Sequence, residues 1–276
     1  MIPGALPALR RGAPLVAYRA LARAALRSLL AYQVTFLFGV LASVFSALAM
    51  LYLWHAVLGS SATSQGFDWP HMKAYLLVAF AAGSLPSSWV DYRMAFRIQR
   101  GEVALDLVRP VDYQAARFAE AVGFAVYELG TALVVVAVAA VAFGGIPGPP
   151  LGTLPLLVLS VLLVLPLRFG IVYASAMAVF WTQNYVGVQA GRVALVSLFS
   201  GALVPLAFLP HWLHVLAAAL PFAGMASTPA LLFAGELDGR AAVVAVAVQA
   251  AWTVALWLGT RALWSAASRQ LTVHGG

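Results

Sequence analysis

The sequence predicts an all-α membrane protein. It would have six transmembrane helices, an N-terminal amphipathic interfacial helix and a re-entrant hairpin between helices five and six. Three observations lead there. Hydrophobic residues make up 63% of the 276 and charged residues only 9%, where soluble domains carry roughly 25% charged; the mean hydropathy is +0.93. Such a chain could not cover its own core in water. That excludes a soluble enzyme, a disordered chain and, despite the net charge of +7, a nucleic-acid binder. The apolar residues also fall into stretches of about 20, the length a helix needs to cross a bilayer. Finally, the basic residues are shared unequally between the segments that join those stretches. The chain has no cysteine, so it has neither disulfides nor thiolate metal sites.

Residues 1–33 hold Arg10, Arg11, Arg19, Arg23 and Arg27 and no acid. The arginines interrupt any apolar core and no small-residue cleavage site follows one, so the segment does not read as a signal peptide. Arg19, Arg23 and Arg27 recur every four residues, and Tyr18, Leu21, Ala25 and Leu29 lie roughly opposite. That spacing predicts a helix lying in the inner headgroup layer with its guanidinium groups on lipid phosphates. A plain basic flank to the first span is the other reading.

The membrane domain is expected over 34–264. Its first span, 34–58, contains no charged residue; a polar loop follows over 60–70, with Trp69 as an interfacial anchor. The second span, 73–89, is short and has Pro86 near its end. Residues 90–117 form the most charged segment. The third span, 118–143, stops at Gly144-Gly145-Ile146-Pro147-Gly148-Pro149-Pro150, a strong helix breaker. The fourth, 154–180, has Pro166 inside, and a polar turn at 182–184 leads into a fifth that ends near Leu209. Residues 210–235 stay apolar but are cut by Pro210, Pro221, Gly224, Pro229 and Gly235. Neither uncut piece crosses a core of about 30 Å. The expectation is two short helices that dip in and return, a backbone tolerated only under protein or water. The sixth span is 241–264, and 265–276 is a tail carrying Arg269.

Placing both termini in the cytoplasm puts thirteen basic residues inside. These are the five N-terminal arginines, Arg93, Arg97, Arg100, Arg109 and Arg117 of the 90–117 loop, Arg192, Arg261 and Arg269. Only Lys73 and Arg240 fall outside, and Arg168 falls within a span. The positive-inside rule favours this orientation and an even number of spans. Fifteen of the sixteen basic residues are arginine. With the abundant alanine, this looks like the codon usage of a GC-rich bacterial genome. The expected location is the bacterial inner membrane, with the chain crossing it several times.

Reactive chemistry is sparse. The only lysine follows Met72, so no phosphate-cradling Gly-x4-Gly-Lys-Ser/Thr loop exists, and no His-Glu-x-x-His motif, serine elbow or carboxylate pair lies in a span. His211 and His214 share a helical face but flank Trp212 with no third ligand nearby, and read as interfacial polar anchors rather than a metal site. Two features remain. Within the 90–117 loop a short helix is expected over about 101–108, stopped by Pro110. Val103 and Leu107 would share one face, Glu102 and Asp106 an adjacent one, and Asp106 would reach Arg109. Asp112 is placed to cap the next helix. Such a helix suits docking into a groove of another protein; an ordinary connector is equally compatible. The second feature is Glu128 and Arg168, which fall at similar depth in adjacent antiparallel spans. Isolated charges there cost several kcal/mol, so a pair or shared polar network is expected, either as a gate or substrate contact or as a structural staple.

The stretch Arg-Gly-Glu-Val-Ala-Leu-Asp-Leu-Val-Arg-Pro-Val-Asp at 100–112 resembles the loop signature between the second and third spans of a bacterial branch of type-two ATP-binding-cassette exporter permeases. Leu203–Leu213, continuing to Leu220-Pro221-Phe222 and Thr228-Pro229, is similar to that family's segment before its re-entrant hairpin, and 269–276 is similar to its closing motif. The resemblance implies a six-helix permease subunit of an ATP-driven exporter. Its N-terminal segment would be a connecting helix. Residues about 97–109 would be the coupling helix seated in a nucleotide-binding subunit, with Arg97, Arg100, Glu102, Val103, Asp106, Leu107 and Arg109 as coupling residues. It implies ATPase subunits as partners, with ATP and Mg bound there and no cofactor in this chain, and a second permease that is either another copy or a paralogue. The substrate path would lie between the two permeases, among membrane lipids. A stand-alone membrane channel or scaffold without an ATPase accounts for the hydropathy and charge equally well, but not for the Arg109-Pro110 loop.

Overall fold

The computed structural model describes residues 13–30, 33–58, 67–84, 88–108 and 110–269. They are helical almost throughout. In chain order the helices are α1 (Ala13–Leu30), α2 (Gln33–Leu58), α3 (Trp69–Ser84), α4 (Ser88–Gln99), α5 (Val103–Leu107), α6 (Tyr113–Phe143), α7 (Leu154–Thr182), α8 (Tyr185–Phe199), α9 (His211–Ala219), α10 (Ser227–Ala234) and α11 (Gly239–Ser268).

Helix α6 is the longest of the described helices. Its 31 residues extend about 46 Å, well beyond a bilayer core of about 30 Å. It starts where the Asp112 carboxylate accepts a hydrogen bond from the Ala115 N–H at 2.8 Å, and it stops at Gly144, whose φ of 76° no helical residue adopts. The start is five residues earlier than the hydropathy suggests, because capping by Asp112 draws 113–117 into the helix. At its other terminus the Lys73 ammonium donates to the carbonyls of Phe143, Gly144 and Gly145 at 3.0, 3.3 and 2.6 Å. Helix α1 lies against α6 at a glycine contact. A Cβ on Gly123 would stand 2.1 Å from the Ala22 carbonyl oxygen, so only glycine permits this approach. Arg19, Arg23 and Arg27 all remain exposed on the far face of α1, while Ala25 is buried. Helices α7 and α11 also meet closely, at Gly170, where a Cβ would stand 2.8 Å from the Leu256 Cβ.

Four helical segments are long and apolar enough to cross a membrane among the described residues: Leu37–Leu58, Tyr113–Phe143, Leu151–Thr182 and Gly239–Ser268. This corrects the six-span expectation. The second expected span is represented by α3, 16 residues and about 24 Å, and the fifth by α8, 15 residues and about 22 Å; both fall short of the hydrocarbon thickness. Hydropathy alone had merged α3 with the start of α4 and α8 with the irregular 200–209 stretch. The 210–235 segment therefore stands between the third and fourth of the candidate spans, not between a fifth and a sixth. It contains the short helices α9 and α10. Helix α10 is buried against α3 through Ala226, Ala230 and Ala234, and Tyr75 of α3 donates to the Gly201 carbonyl at 2.8 Å.

Two apolar clusters follow from this arrangement. One gathers Val90, Met94, Val103, Tyr113, Phe124, Phe169 and Tyr173 around the Tyr113 end of α6. The other gathers Leu51, Trp54, Met72, Tyr75 and Val135 toward the Phe143 end. The outer faces of α2 and α11 stay apolar and exposed, with Phe38, Phe45, Val254 and Leu258 more than half accessible, as surfaces bathed in lipid would be.

Candidate coupling site

At the Tyr113 end of α6, three helices converge on one carboxylate. Asp106 of α5 is buried. Arg97 of α4 pairs with it at 3.1 Å and Arg117 of α6 at 3.7 Å, and Arg117 reaches on to Glu120 at 3.1 Å. Arg117 is itself sealed in, with its guanidinium 5.2 Å from the Tyr113 ring centroid. Burying one such charge alone would cost several kcal/mol, so the carboxylates and guanidinium groups exist here only as a set. Val103, one turn earlier, is fully buried in the first apolar cluster. The five-residue helix α5, too short to be stable alone, is thus pinned by one salt-bridged and one apolar anchor. Nearby, Asp112 adds an ion pair to Arg261 of α11 at 3.4 Å, its N–H donates to the Tyr18 hydroxyl at 3.3 Å, and Gln99 donates to the Gln183 carbonyl at 3.0 Å.

The outward side of α5 is different from the one the spacing suggests. Leu105 and Val108 are 66% and 83% exposed, and Val103 faces inward. Arg100 is exposed and Glu102 half-buried, and they face each other loosely at 3.9 Å, with Arg100 stacked 3.9 Å over the Phe96 ring. Of the seven residues read as coupling residues, Arg100 and Glu102 therefore lie at the surface, Arg97 is partly covered, and Val103 and Asp106 anchor the helix from within. The Leu107 side chain and the whole of Arg109 lie outside the described residues. The sequence reading missed Leu105 and Val108, although their i,i+3 spacing is also a helical face.

Deeper in the bundle, Arg168 of α7 donates to the Ala82 and Gly83 carbonyls at the last turn of α3. It thereby satisfies backbone acceptors that a helix ending inside an apolar environment would leave open. Glu128 is buried in α6 and acts electrostatically on Arg168. A second pair, unforeseen from sequence, joins Asp91 of α4 to Arg192 of α8. Burial raises the Asp91 carboxyl to about 6, against the opposing pull of Arg192. Sequence places Asp91 at the start of the 90–117 loop and Arg192 among the inner basic residues, and no local rule joins them because they stand 101 positions apart.

His211 and His214 are exposed on α9, and among the described residues no group of three or more histidines, cysteines and carboxylates could hold a metal ion. The fold and this site define a multi-pass α-helical membrane protein whose charges organise helices. A family model described as "ABC-2 family transporter protein" matches residues 32–275. The chain belongs to that family, and is a transport subunit of the permease type rather than an enzyme. Searches of curated proteins and of solved structures returned no match.

Proposed function

We propose that this chain is the permease subunit of an ATP-driven exporter. It would sit in the bacterial inner membrane with both termini cytoplasmic, and work beside a second permease, either another copy or a paralogue. Helix α5 would seat in a separate ATPase subunit that binds ATP and Mg. Closure of two ATPases around ATP would push on α5. Because Asp106 ties α5 to α4 and α6 at once, that push would reach the bundle as a movement of whole helices and open a substrate path between the permeases. The exposed Arg19, Arg23 and Arg27 of α1 would rest on lipid phosphates at the same level. Glu128 and Arg168 would hold the end of α3 during the movement.

The observation that carries this reading is the outward presentation of Leu105 and Val108 on a helix whose inner side is fixed by buried ion pairs. An exposed apolar pair on a rigid base suits a protein groove. The test is co-expression with a candidate ATP-binding-cassette ATPase subunit. Leu105→Asp with Val108→Asp should leave insertion and monodispersity unchanged while abolishing co-purification and transport-linked ATP hydrolysis. Retention of both activities in that double variant would remove α5 from the coupling role. Solute flux through vesicles containing the chain alone would favour the channel reading instead.

A further inference from the structure

A cavity of about 640 Å³ lies between α11 and the segment carrying α9 and α10. Its length is set by one face of α11: Ala241, Val244, Ala245, Val248 and Trp252 recur at helical spacing along its wall. From Arg240 to Trp252 that lane measures about 18 Å at 1.5 Å per residue, slightly more than half of a hydrocarbon core of about 30 Å. Half of that core is the depth occupied by the acyl chains of one leaflet. Val244 is 52% exposed as well as lining, so the cavity reaches the outer surface of a membrane-crossing helix and is open to lipid from the side.

Of the polar side chains in the cavity, which include Ser227 and Thr228, Gln249 and Trp252 are already engaged. Gln249 accepts from the Ser160 hydroxyl at 2.8 Å and donates to the Ser160 and Gly224 carbonyls, both at 2.9 Å. Trp252 donates its indole N–H to the Ala219 carbonyl at 2.9 Å. What remains for an occupant is an apolar lane with two basic side chains at its mouth, Arg240 and His214, both exposed. Arg240 has no ion-pair partner among the described residues; Glu236 and Asp238 precede α11 but do not line the cavity. A head without net negative charge would leave the charge of Arg240 unbalanced, whereas the phosphate of an anionic lipid would accept its hydrogen bonds and balance that charge.

We propose that this cavity binds an anionic phospholipid from the leaflet at the Gly239 end of α11, with one acyl chain along Val244–Trp252 and the phosphate on Arg240 and His214. The site is independent of the ATPase reading, since nothing in it touches α5.

The experiment uses the full chain, purified in non-ionic detergent without any ATPase, and titrated with phosphatidylglycerol brominated on its acyl chains. Tryptophan fluorescence is followed, and the Trp252→Phe variant isolates the share of Trp252 by difference. Trp252 should be quenched saturably. Brominated phosphatidylcholine, whose quaternary ammonium offsets its own phosphate and repels the Arg240 guanidinium, should need about tenfold more lipid. Arg240→Gln, at an exposed position, should erase that preference, and Ala245→Phe should fill the lane and abolish the quenching. Equal quenching by both lipids, unchanged in Arg240→Gln, would overturn the proposal. So would displacement of the brominated lipid by inorganic phosphate as complete as that by unlabelled phosphatidylglycerol, which would mark a site for free anions.

Discussion

At its first turn α6 receives a carboxylate, Asp112, within a dense field of charges; at its last turn it receives the ammonium of Lys73, the only lysine of the chain. Both arrangements complement the helix dipole, negative charge at the N-terminus and positive at the C-terminus. They differ in how they are built. The Tyr113 end is held by mutual ion pairs among Arg97, Asp106, Arg117 and Glu120, each needing the others. The Phe143 end is held by one side chain against backbone carbonyls, with no carboxylate partner. A network of paired charges fails as a unit when one member is removed, whereas a single cap fails locally. The first construction suits an end that must move as a rigid piece, the second an end that only has to stop a helix.

Three measurements probe that contrast. The largest effect is expected from Asp106→Ala, which strands Arg97, leaves Arg117 with Glu120 alone and should cost about 3–5 kcal/mol. Thermal unfolding in detergent should show the loss, and Arg97→Leu combined with it should restore part of the stability if the four charges act together. Next comes Lys73→Met, which should cost about 2–3 kcal/mol through lost hydrogen bonds to a charged donor. Proteolysis or hydrogen exchange should then increase around 143–150 and leave the Tyr113 end protected. The smallest effect concerns Asp91. Its carboxyl is raised from 3.8 to about 6, so the folded protein takes up this proton more readily than the unfolded chain. The contribution of Asp91 is therefore fully present below about pH 4 and lost as the pH rises through 6. Between pH 7 and pH 5 the protein should gain about 1 kcal/mol from this group, and Asp91→Asn should remove that gain. An identical pH profile in the variant would show that Asp91 is more open to water than its burial implies.

How much of this could be read in advance depends on distance along the chain. The membrane class follows from composition, and the end of α6 at Phe143 follows from the run Gly144 to Pro150, because a helix cannot continue through residues that lack either a constraint or an N–H. The Asp112 cap was legible too, since a cap acts within one turn of its own residue. The number of crossing helices was not. Hydropathy reports that a stretch is apolar but not where its helix ends, and α3 and α8 end early. The surface of α5 was half legible: the spacing marks a short helix, but it does not say which side of that helix is already occupied by its own protein.

The charge partnerships lay beyond any local rule. Lys73 meets carbonyls 70 to 72 positions away, Arg168 meets one 85 away, and Arg192 meets a carboxylate 101 away. Short-range features are written into neighbouring residues because capping, helix breaking and burial of an apolar stripe act over one or two turns. Which buried charge finds which partner depends on how helices distant in sequence are packed side by side, and in an apolar interior that packing must bring every charge to a counter-charge or a carbonyl.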